Sequence, residues 1–264
     1  MSTPIVESTP SMAVRDQRVA IFAHVECPQL LATLVCEMTG TPLLDAVIVT
    51  RNTPGLLPHP FTLDEANRLV EHVKPLGIQA AVVAETDLPD MSDVNTMHHS
   101  RIVEDALEVC DLQGHCASRV AWDRIAVIAV GSVPGDSHMR FIDDGRPSVL
   151  SAAPMPSAGR LATPERPHLE FWLLCHSPAA VYRLKHDEFN YETLAADRAP
   201  SAAENFDRFV RRLVTMVPQA RRTPGTYAYL QHMLAGYEFK SDEAIRQQAL
   251  IGWILARNLA TTTS

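Results

Sequence analysis

Hydrophobic and polar positions between residues 18 and 85 predict one compact βααβαβ unit. An amphipathic strand at 18–25 leads into a helix that ends at Thr39-Gly40, and a second short helix begins near residue 43. Turn-forming residues follow at 52–55. Glycine and asparagine accept the backbone angles that turns require, so this cluster separates the helix from the next apolar run.

A third helix follows a capping box formed by Thr62 and Glu65, in which each side chain accepts a bond from the backbone N–H of the other residue. Its apolar positions recur at helical spacing and predict a buried stripe. The stripe consists of Leu63, Ala66, Leu69, Val70, Val73 and Leu76. The helix is expected to stop at Gly77 and to lead into a strand at 78–84.

From residue 97 the pattern changes to short runs of nearly alternating apolar residues, which predict strands. The predicted strands lie at 101–111, 119–133, 139–142, 148–150, 169–174 and 179–186. Asp143-Asp144-Gly145 has the composition of a hairpin turn because glycine accepts a positive φ. Residues 151–167 are rich in Ala, Pro and Ser and predict a loop. We therefore expect a small antiparallel sheet or barrel.

Helices are predicted to close the chain. Ser201 and Glu204 form a second capping box before a helix at 202–217. Its inward positions are Phe206, Phe209, Val210, Leu213, Val214 and Val217. Two further amphipathic helices are predicted at 227–234 and 242–259.

These elements define an α+β protein: a small βααβαβ domain, an antiparallel-sheet domain closed by a helix, and a C-terminal helical pair. The expected division is a disordered lead at 1–17, a first domain at 18–85, a linker at 86–95, a sheet domain at 96–218 and a helical tail at 219–264.

Composition narrows the function classes. The formal net charge of −8 argues against nucleic-acid binding, since phosphate contacts need clustered Lys and Arg. No stretch approaches the roughly 20 apolar residues of a membrane-spanning helix, and residues 1–17 lack an apolar signal core, so a cytoplasmic protein is expected. The five cysteines are an odd number and lie mostly in apolar runs, which predicts reduced core thiols.

The first domain resembles the C-terminal domain of the acidic ribosomal stalk protein and the Clp protease adaptor of the same fold group. The resemblance rests on residues 30–35, on Thr39-Gly40 followed by Leu43 and Ala46, and on the segment from Thr62 to Ile78. It covers about a quarter of the chain and implies protein binding.

The functional residues of those families are not matched here. The stalk domain uses a basic helix face, but the corresponding positions are Pro28, Thr33, Cys36 and Val47. The adaptor's peptide-binding positions fall near Ala23-His24 and near Arg51. Glu26 is the carboxylate that would have to pair with a peptide's amino group. The resemblance thus implies a fold and protein binding, without a site.

The middle sheet and its closing helix are similar in outline to pleckstrin-homology-like bacterial domains. The segment that carries this second resemblance runs from Val120 to Ile125 and continues with Ile128 and Gly131. The resemblance implies a bent sheet closed by one helix.

Histidines and cysteines form the candidate metal site. They are His98, His99, Cys110, His115 and Cys116. Thiolate and imidazole are zinc ligands, but the cluster has neither a Cys-x-x-Cys motif nor a His pair at finger spacing. Core thiols and turn histidines are therefore expected, with zinc as the alternative.

The sequence contains no recognised motif for nucleophilic catalysis, phosphate binding or calcium binding. No Gly-x-Ser-x-Gly elbow, Gly-x-Gly-x-x-Gly fingerprint or Gly-Lys-Ser/Thr loop is present. The aspartates at 87, 90, 93, 143 and 144 fit solvated turns better than a calcium loop. No cofactor is expected.

A basic group stands out at Arg208, Arg211 and Arg212, with Arg221 and Arg222 nearby. It is a candidate patch for an acidic protein or an anionic membrane surface, and the alternative is a solvated helix face.

We expect a non-enzymatic interaction or adaptor protein with a protein partner. Two alternatives remain open at this stage. One is a metal-dependent or Cys/His hydrolase with its site between the domains, and the other is a subunit of a larger assembly.

Overall fold

The computed structural model describes residues 14–51, 53–111, 113–135 and 167–262. Most of the predicted N-terminal lead, the predicted hairpin at Asp143-Asp144-Gly145 and nearly all of the loop at 151–167 lie outside these residues. Within them the fold is α+β, with helices and mixed sheets.

The predicted βααβαβ order is confirmed in the first part of the chain, which we call the first module. Its elements are β1 (Gln17–Ile21), α1 (Pro28–Thr39), α2 (Leu43–Thr50), β2 (Gly55–Leu56), α3 (Leu63–Val73) and β3 (Ala80–Ala84). The three strands form an antiparallel sheet in the order β2-β1-β3.

Local signals fix the helix ends as expected. Gly40 follows α1 with φ +69°, and Gly77 follows the short 3-10 turn after α3 with φ +73°. Both angles lie in the left-handed region, where a side chain is strained. Thr62 and Glu65 make both bonds of the capping box. The bonded backbone N–H of Thr62 is the main reason that the pKa of Glu65 lies below its ordinary value.

The stripe predicted for α3 needs a correction. Ala66, Leu69 and Val73 are buried, but Leu63 at the start and Leu76 at the end are exposed. Both lie at the ends of the helical segment, beyond the part that the sheet covers.

Strand β1 buries both of its faces. Val19 and Ile21 face the helices α1 to α3 and belong to the core of the first module. Ala20 belongs to a second core on the opposite face of the sheet. The alternation follows from the twofold period of a strand.

The predicted single antiparallel sheet is wrong, because the strands of this region form two separate sheets. The strands are β4 (Val94–Thr96), β5 (His99–Ile102), β6 (Ala106–Cys110), β7 (Cys116–Ala121), β8 (Ile125–Val133), β9 (His168–Cys175), β10 (Ala180–Lys185) and, after the closing helix, β11 (Arg221–Arg222). Five of them form a mixed sheet in the order β11-β8-β9-β10-β4, and β5-β6-β7 form an antiparallel sheet. Both edge strands of the larger sheet pair in parallel.

Helix α4 (Ala202–Met216) closes the core between the two sheets. All six of its predicted inward residues are buried. They pack with Phe171 of β9, Leu107 of β6 and Tyr191, among others. The Ser201 hydroxyl accepts the backbone N–H of Glu204 as predicted.

Three more helices end the described chain: α5 (Pro224–Leu230), α6 (Leu234–Tyr237) and α7 (Asp242–Thr262). The predicted helix at 227–234 begins three residues earlier, because Thr223 caps it and Pro224 occupies its first position.

Helix α7 joins the two halves of the molecule. Its residues Ile245, Ala249 and Trp253 are buried in one core with Ala20 of β1 and with Trp172 of β9. The indole N–H of Trp253 donates to the backbone carbonyl of Asp87 at 3.0 Å. The sheet of the first module and the five-stranded sheet therefore share α7 as a common packing layer.

Candidate functional site

The small antiparallel sheet holds the predicted metal candidates. His99 of β5 lies opposite Cys110 of β6, and Cys110 lies opposite Cys116 of β7. His98 precedes β5, and its backbone carbonyl accepts the N–H of Asn190. His115 is exposed and faces the carboxylate of Asp111 at 3.4 Å.

Neighbouring strand positions do not make these residues a metal site. The thiol of Cys110 is 3.9 Å from the carbonyl of Glu108, and that of Cys116 is 3.4 Å from the carbonyl of Ser118. Burial raises the pKa of the Cys110 thiol, which disfavours the thiolate that zinc needs. In the described part of the chain, no group of three or more His, Cys, Asp or Glu side chains is arranged to hold a metal ion.

The predicted basic patch is largely engaged within the protein. Arg211 donates to Asp207 at 2.8 Å, and this bond raises the pKa of Arg211. Arg211 also donates to the backbone carbonyl of Leu230 at 3.2 Å. Arg208 donates to the backbone carbonyl of Asp197. Arg212 alone of the three is exposed without a bond to any described residue. The three arginines do not converge on one point.

A buried charged cluster lies where α7 meets the five-stranded sheet. The carboxylate of Glu170 is fully buried and accepts bonds from Arg183, from His168 at 2.9 Å and from the Trp172 indole at 2.8 Å. Arg183 also donates to Asp242 at 3.1 Å. The carboxylate of Glu170 thus has three donors, whereas the Nε atom of Arg183 is buried without a partner among the described residues. The cluster lines neither cavity described below and connects α7 to the sheet through Asp242.

A cleft of about 420 Å³ lies between the first module and α7. Its polar groups already have partners. Arg18 donates to Glu85 at 2.7 Å, and the side-chain carbonyl of Gln247 accepts the N–H of Leu56 at 2.8 Å. Binding a polar ligand there would break these bonds.

The second cleft, about 390 Å³, lies where β1 leads into α1, and we call it the His24 groove. It is lined by Ala23, His24, Val25, Glu26, Cys27, Leu30, Leu76, Gly77 and Ile78. Its volume is near the lower limit of ligand pockets, which run from about 300 to 1,000 Å³. Three segments build it: the stretch after β1, the first turn of α1 and the turn after α3.

The groove combines exposed apolar walls with unused polar groups. The side chains of Leu30 and Leu76 are 52% and 46% exposed. The Nδ1 atom of His24 lies 3.4 Å from the carbonyl of Thr53, whereas its Nε2 atom has no partner among the described residues. The Glu26 carboxylate is exposed and likewise forms no bond to any described group.

Leu30 lines the groove, and α2 carries three further exposed apolar side chains. We call the surface formed by Leu30, Leu43, Leu44 and Ile48 the α1–α2 face. Its members are between 52% and 73% exposed. The hydroxyl of Thr50 donates to the carbonyl of Pro28 at 3.1 Å, so α2 ends beside the start of α1. This brings α2 alongside the groove.

The sequence pattern does not identify this groove as a site. The adaptor's peptide-binding positions fall near Ala23-His24 and Arg51 without matching residues, Glu26 is only a substitute for the missing carboxylate, and the helical spacing places Leu76 in the buried stripe. Leucine at helical spacing has the same pattern whether a neighbouring layer covers it or not.

The prediction that the five cysteines are core thiols holds only in part. All five are free; Cys110 and Cys175 are buried, Cys36 is half-buried, and Cys27 and Cys116 are exposed. No serine, threonine or cysteine side chain of the described chain is bonded to a histidine ring. The described residues thus contain no hydrogen-bonded pair of a Ser, Thr or Cys nucleophile with a His base.

Comparisons with family models, curated proteins and solved structures found no match to this chain. A search of the described helices found none with the length and hydropathy needed to cross a bilayer.

Proposed function

We propose that the chain is a non-enzymatic protein-interaction protein, an adaptor that holds a segment of a partner in the His24 groove. The observation that carries the proposal is a concave surface with two half-exposed leucines, an imidazole nitrogen of His24 that has no described partner and the unpaired carboxylate of Glu26. An apolar side chain of the partner would fill the groove, and backbone or terminal groups would bond to His24 and Glu26.

Burial of apolar surface supplies the affinity. Covering a leucine-sized side chain contributes about 1.5–3 kcal/mol. The groove is small, so the contact falls in the class of transient interfaces below about 1,200 Å². The resemblance of the first module to the Clp protease adaptor supports protein binding in general, but the adaptor's functional residues are not matched here and the resemblance does not locate the site.

A displayed library of random peptides, panned against the full chain, tests the proposal. Leu30→Ser and Leu76→Ser should each weaken the selected peptides about tenfold or more, because each removes a wall of the groove. Leu63→Ser is the matched control, since Leu63 is 55% exposed in the same module but lies outside the groove. Failure to select any peptide, or equal binding by all three variants, would contradict the proposal.

A further inference from the structure

Charge is distributed unevenly over the surface around the His24 groove. Between residues 19 and 50 the chain has no Lys or Arg, but it has three acidic residues, Glu26, Glu37 and Asp45. All three are exposed. The first cationic side chain after them is Arg51, at the end of α2. The charged side chains between β1 and the end of α2 are therefore all carboxylates; the nearest cations in sequence are Arg51 and, before the groove residue Leu76, Lys74.

These three carboxylates have no partner within the described chain, in contrast to others of the same module. Glu65 is paired with Arg15 at 2.9 Å, and Glu85 is paired with Arg18 at 2.7 Å. Asp45 lies in the first turn of α2, where a negative charge also favours the helix. Glu26 lies one residue before the N-cap of α1, where a negative charge also favours the helix, whereas Glu37 is in its last turn, where a negative charge does not.

We propose that the partner segment is cationic: a peptide with Lys or Arg residues beside an apolar anchor, which fills the His24 groove and continues along the α1–α2 face. This rests on the proposed function. The apolar anchor provides the burial, and the basic side chains pair with Glu26, Glu37 and Asp45. Complementary charge raises the association rate and rejects acidic competitors.

The same charges disfavour the other occupants of this face. A symmetric contact between two copies of the chain would bring like-charged faces together, because the same patch serves on both sides. An anionic membrane surface would repel the carboxylates. A basic peptide is the occupant that gains from both the exposed leucines and the unpaired acids.

The composition of the selected peptides gives the first test. Peptides that depend on Leu30 should be enriched in Lys and Arg next to an aliphatic or aromatic residue. The second test uses two synthetic peptides. One consists of leucines and lysines, and the other has every lysine changed to glutamate. The full chain should bind the lysine peptide, and salt should weaken this binding as it screens exposed charges.

Paired variants locate the effect. Glu26→Gln combined with Glu37→Gln should lower the affinity for the lysine peptide about three- to tenfold at low ionic strength. Glu71→Gln combined with Glu104→Gln removes the same charge from exposed positions outside this surface and should leave the affinity unchanged. Circular dichroism and thermal unfolding of each variant confirm that it is folded.

Failure of this inference differs from failure of the proposed function. The selected peptides could depend on the groove but lack basic residues, with an affinity that changes neither with salt concentration nor in either double variant. This result would overturn the cationic partner and leave the adaptor proposal standing. Self-association abolished by Leu44→Ser, or binding to phosphatidylserine vesicles, would also overturn the cationic partner. Absence of any groove-dependent peptide would overturn both.

Discussion

The five free thiols of this chain differ in burial, and burial sets the reactivity of each thiol. Burial raises the pKa of Cys175 to about 12 and also raises that of Cys110. Because a raised pKa keeps the thiol protonated, neither should form a thiolate near pH 8. Above the ordinary thiol pKa these thiols ionise more readily in the unfolded chain, so the free energy of unfolding should fall as the pH rises. Cys27 and Cys116 are exposed and therefore accessible to a reagent.

We therefore predict that iodoacetamide at pH 8 modifies Cys27 and Cys116 first, Cys36 more slowly, and Cys110 and Cys175 only after unfolding. Peptide mapping by mass spectrometry measures the order. A denatured sample, in which all five react, is the control. Rapid labelling of Cys175 in folded protein would contradict its burial.

Arg183 is predicted to be essential for stability because it pairs with the fully buried carboxylate of Glu170. Arg183→Ala leaves that charge without its cationic partner, which costs about 3–5 kcal/mol. Unfolding in urea measures the loss.

Arg119→Ala is the control, since Arg119 and Asp105 form a 2.6 Å pair with side chains 54% and 68% exposed. Its cost should stay within about 1 kcal/mol. If Arg183→Ala and Arg119→Ala lowered the free energy of unfolding equally, the buried cluster would contribute no more to stability than a surface pair.

Residue identity alone could not separate exposed leucines from buried ones. Leu69 and Leu76 both fit the helical stripe, yet Leu69 is fully buried and Leu76 lines the groove. What distinguishes them is the layer packed over each position, which depends on distant parts of the chain. The resemblance aligns the stretch after β1 with the adaptor's peptide site but without its functional residues, and the sequence pattern gives no sign of the groove's walls.

Helix α5 and strand β8 approach each other so closely that only glycine fits between them. A Cβ atom on Gly225 would lie 2.8 Å from the backbone carbonyl oxygen of Val130 and 2.9 Å from the ring of Phe239. Backbone cannot move aside as a side chain can. Gly225→Ala should therefore destabilise the protein by about 1–3 kcal/mol.

Thermal unfolding measures this loss. Pro224→Ala, at the exposed neighbouring position, serves as the comparison and should change stability by no more than about 1 kcal/mol. A Gly225→Ala protein that unfolds at the wild-type temperature would show that α5 can shift without cost.

Local sequence signals predicted where the helices and strands lie better than they predicted which strands pair. Capping residues and glycines gave the ends of α1, α3 and α4 to within a residue or two. The division of the middle strands into two sheets was missed, because strand pairing is set by contacts far apart in sequence. β4 illustrates this: it lies in the segment predicted as a linker, yet it pairs in parallel with β10.

At the scale of the whole molecule, we predict that α7 couples the unfolding of the two halves. Trp253 is 2% exposed and contacts both through the shared core. Trp253→Ala should cost about 3–5 kcal/mol and release the first module. Hydrogen exchange should then show β1 and β3 opening at a lower free energy than β8 and β9.

Phe209→Ala is the matched control, because Phe209 is fully buried in the core that does not include the first module. It should lower the stability of both halves together. If hydrogen exchange already separates the two halves in the wild-type protein, α7 is not the coupling element.

Synthesis on the ribosome gives α7 one more consequence. The outer side of the first sheet, with Ala20, is completed long before the helix that covers it. At about 5–20 residues per second, translating the roughly 170 residues from the end of β3 to the last buried residues of α7 takes on the order of ten seconds. A nascent chain thus carries an uncovered apolar sheet throughout that interval. Products truncated before residue 242 keep it permanently, and chaperones or proteases that recognise such surfaces can distinguish them from the finished protein.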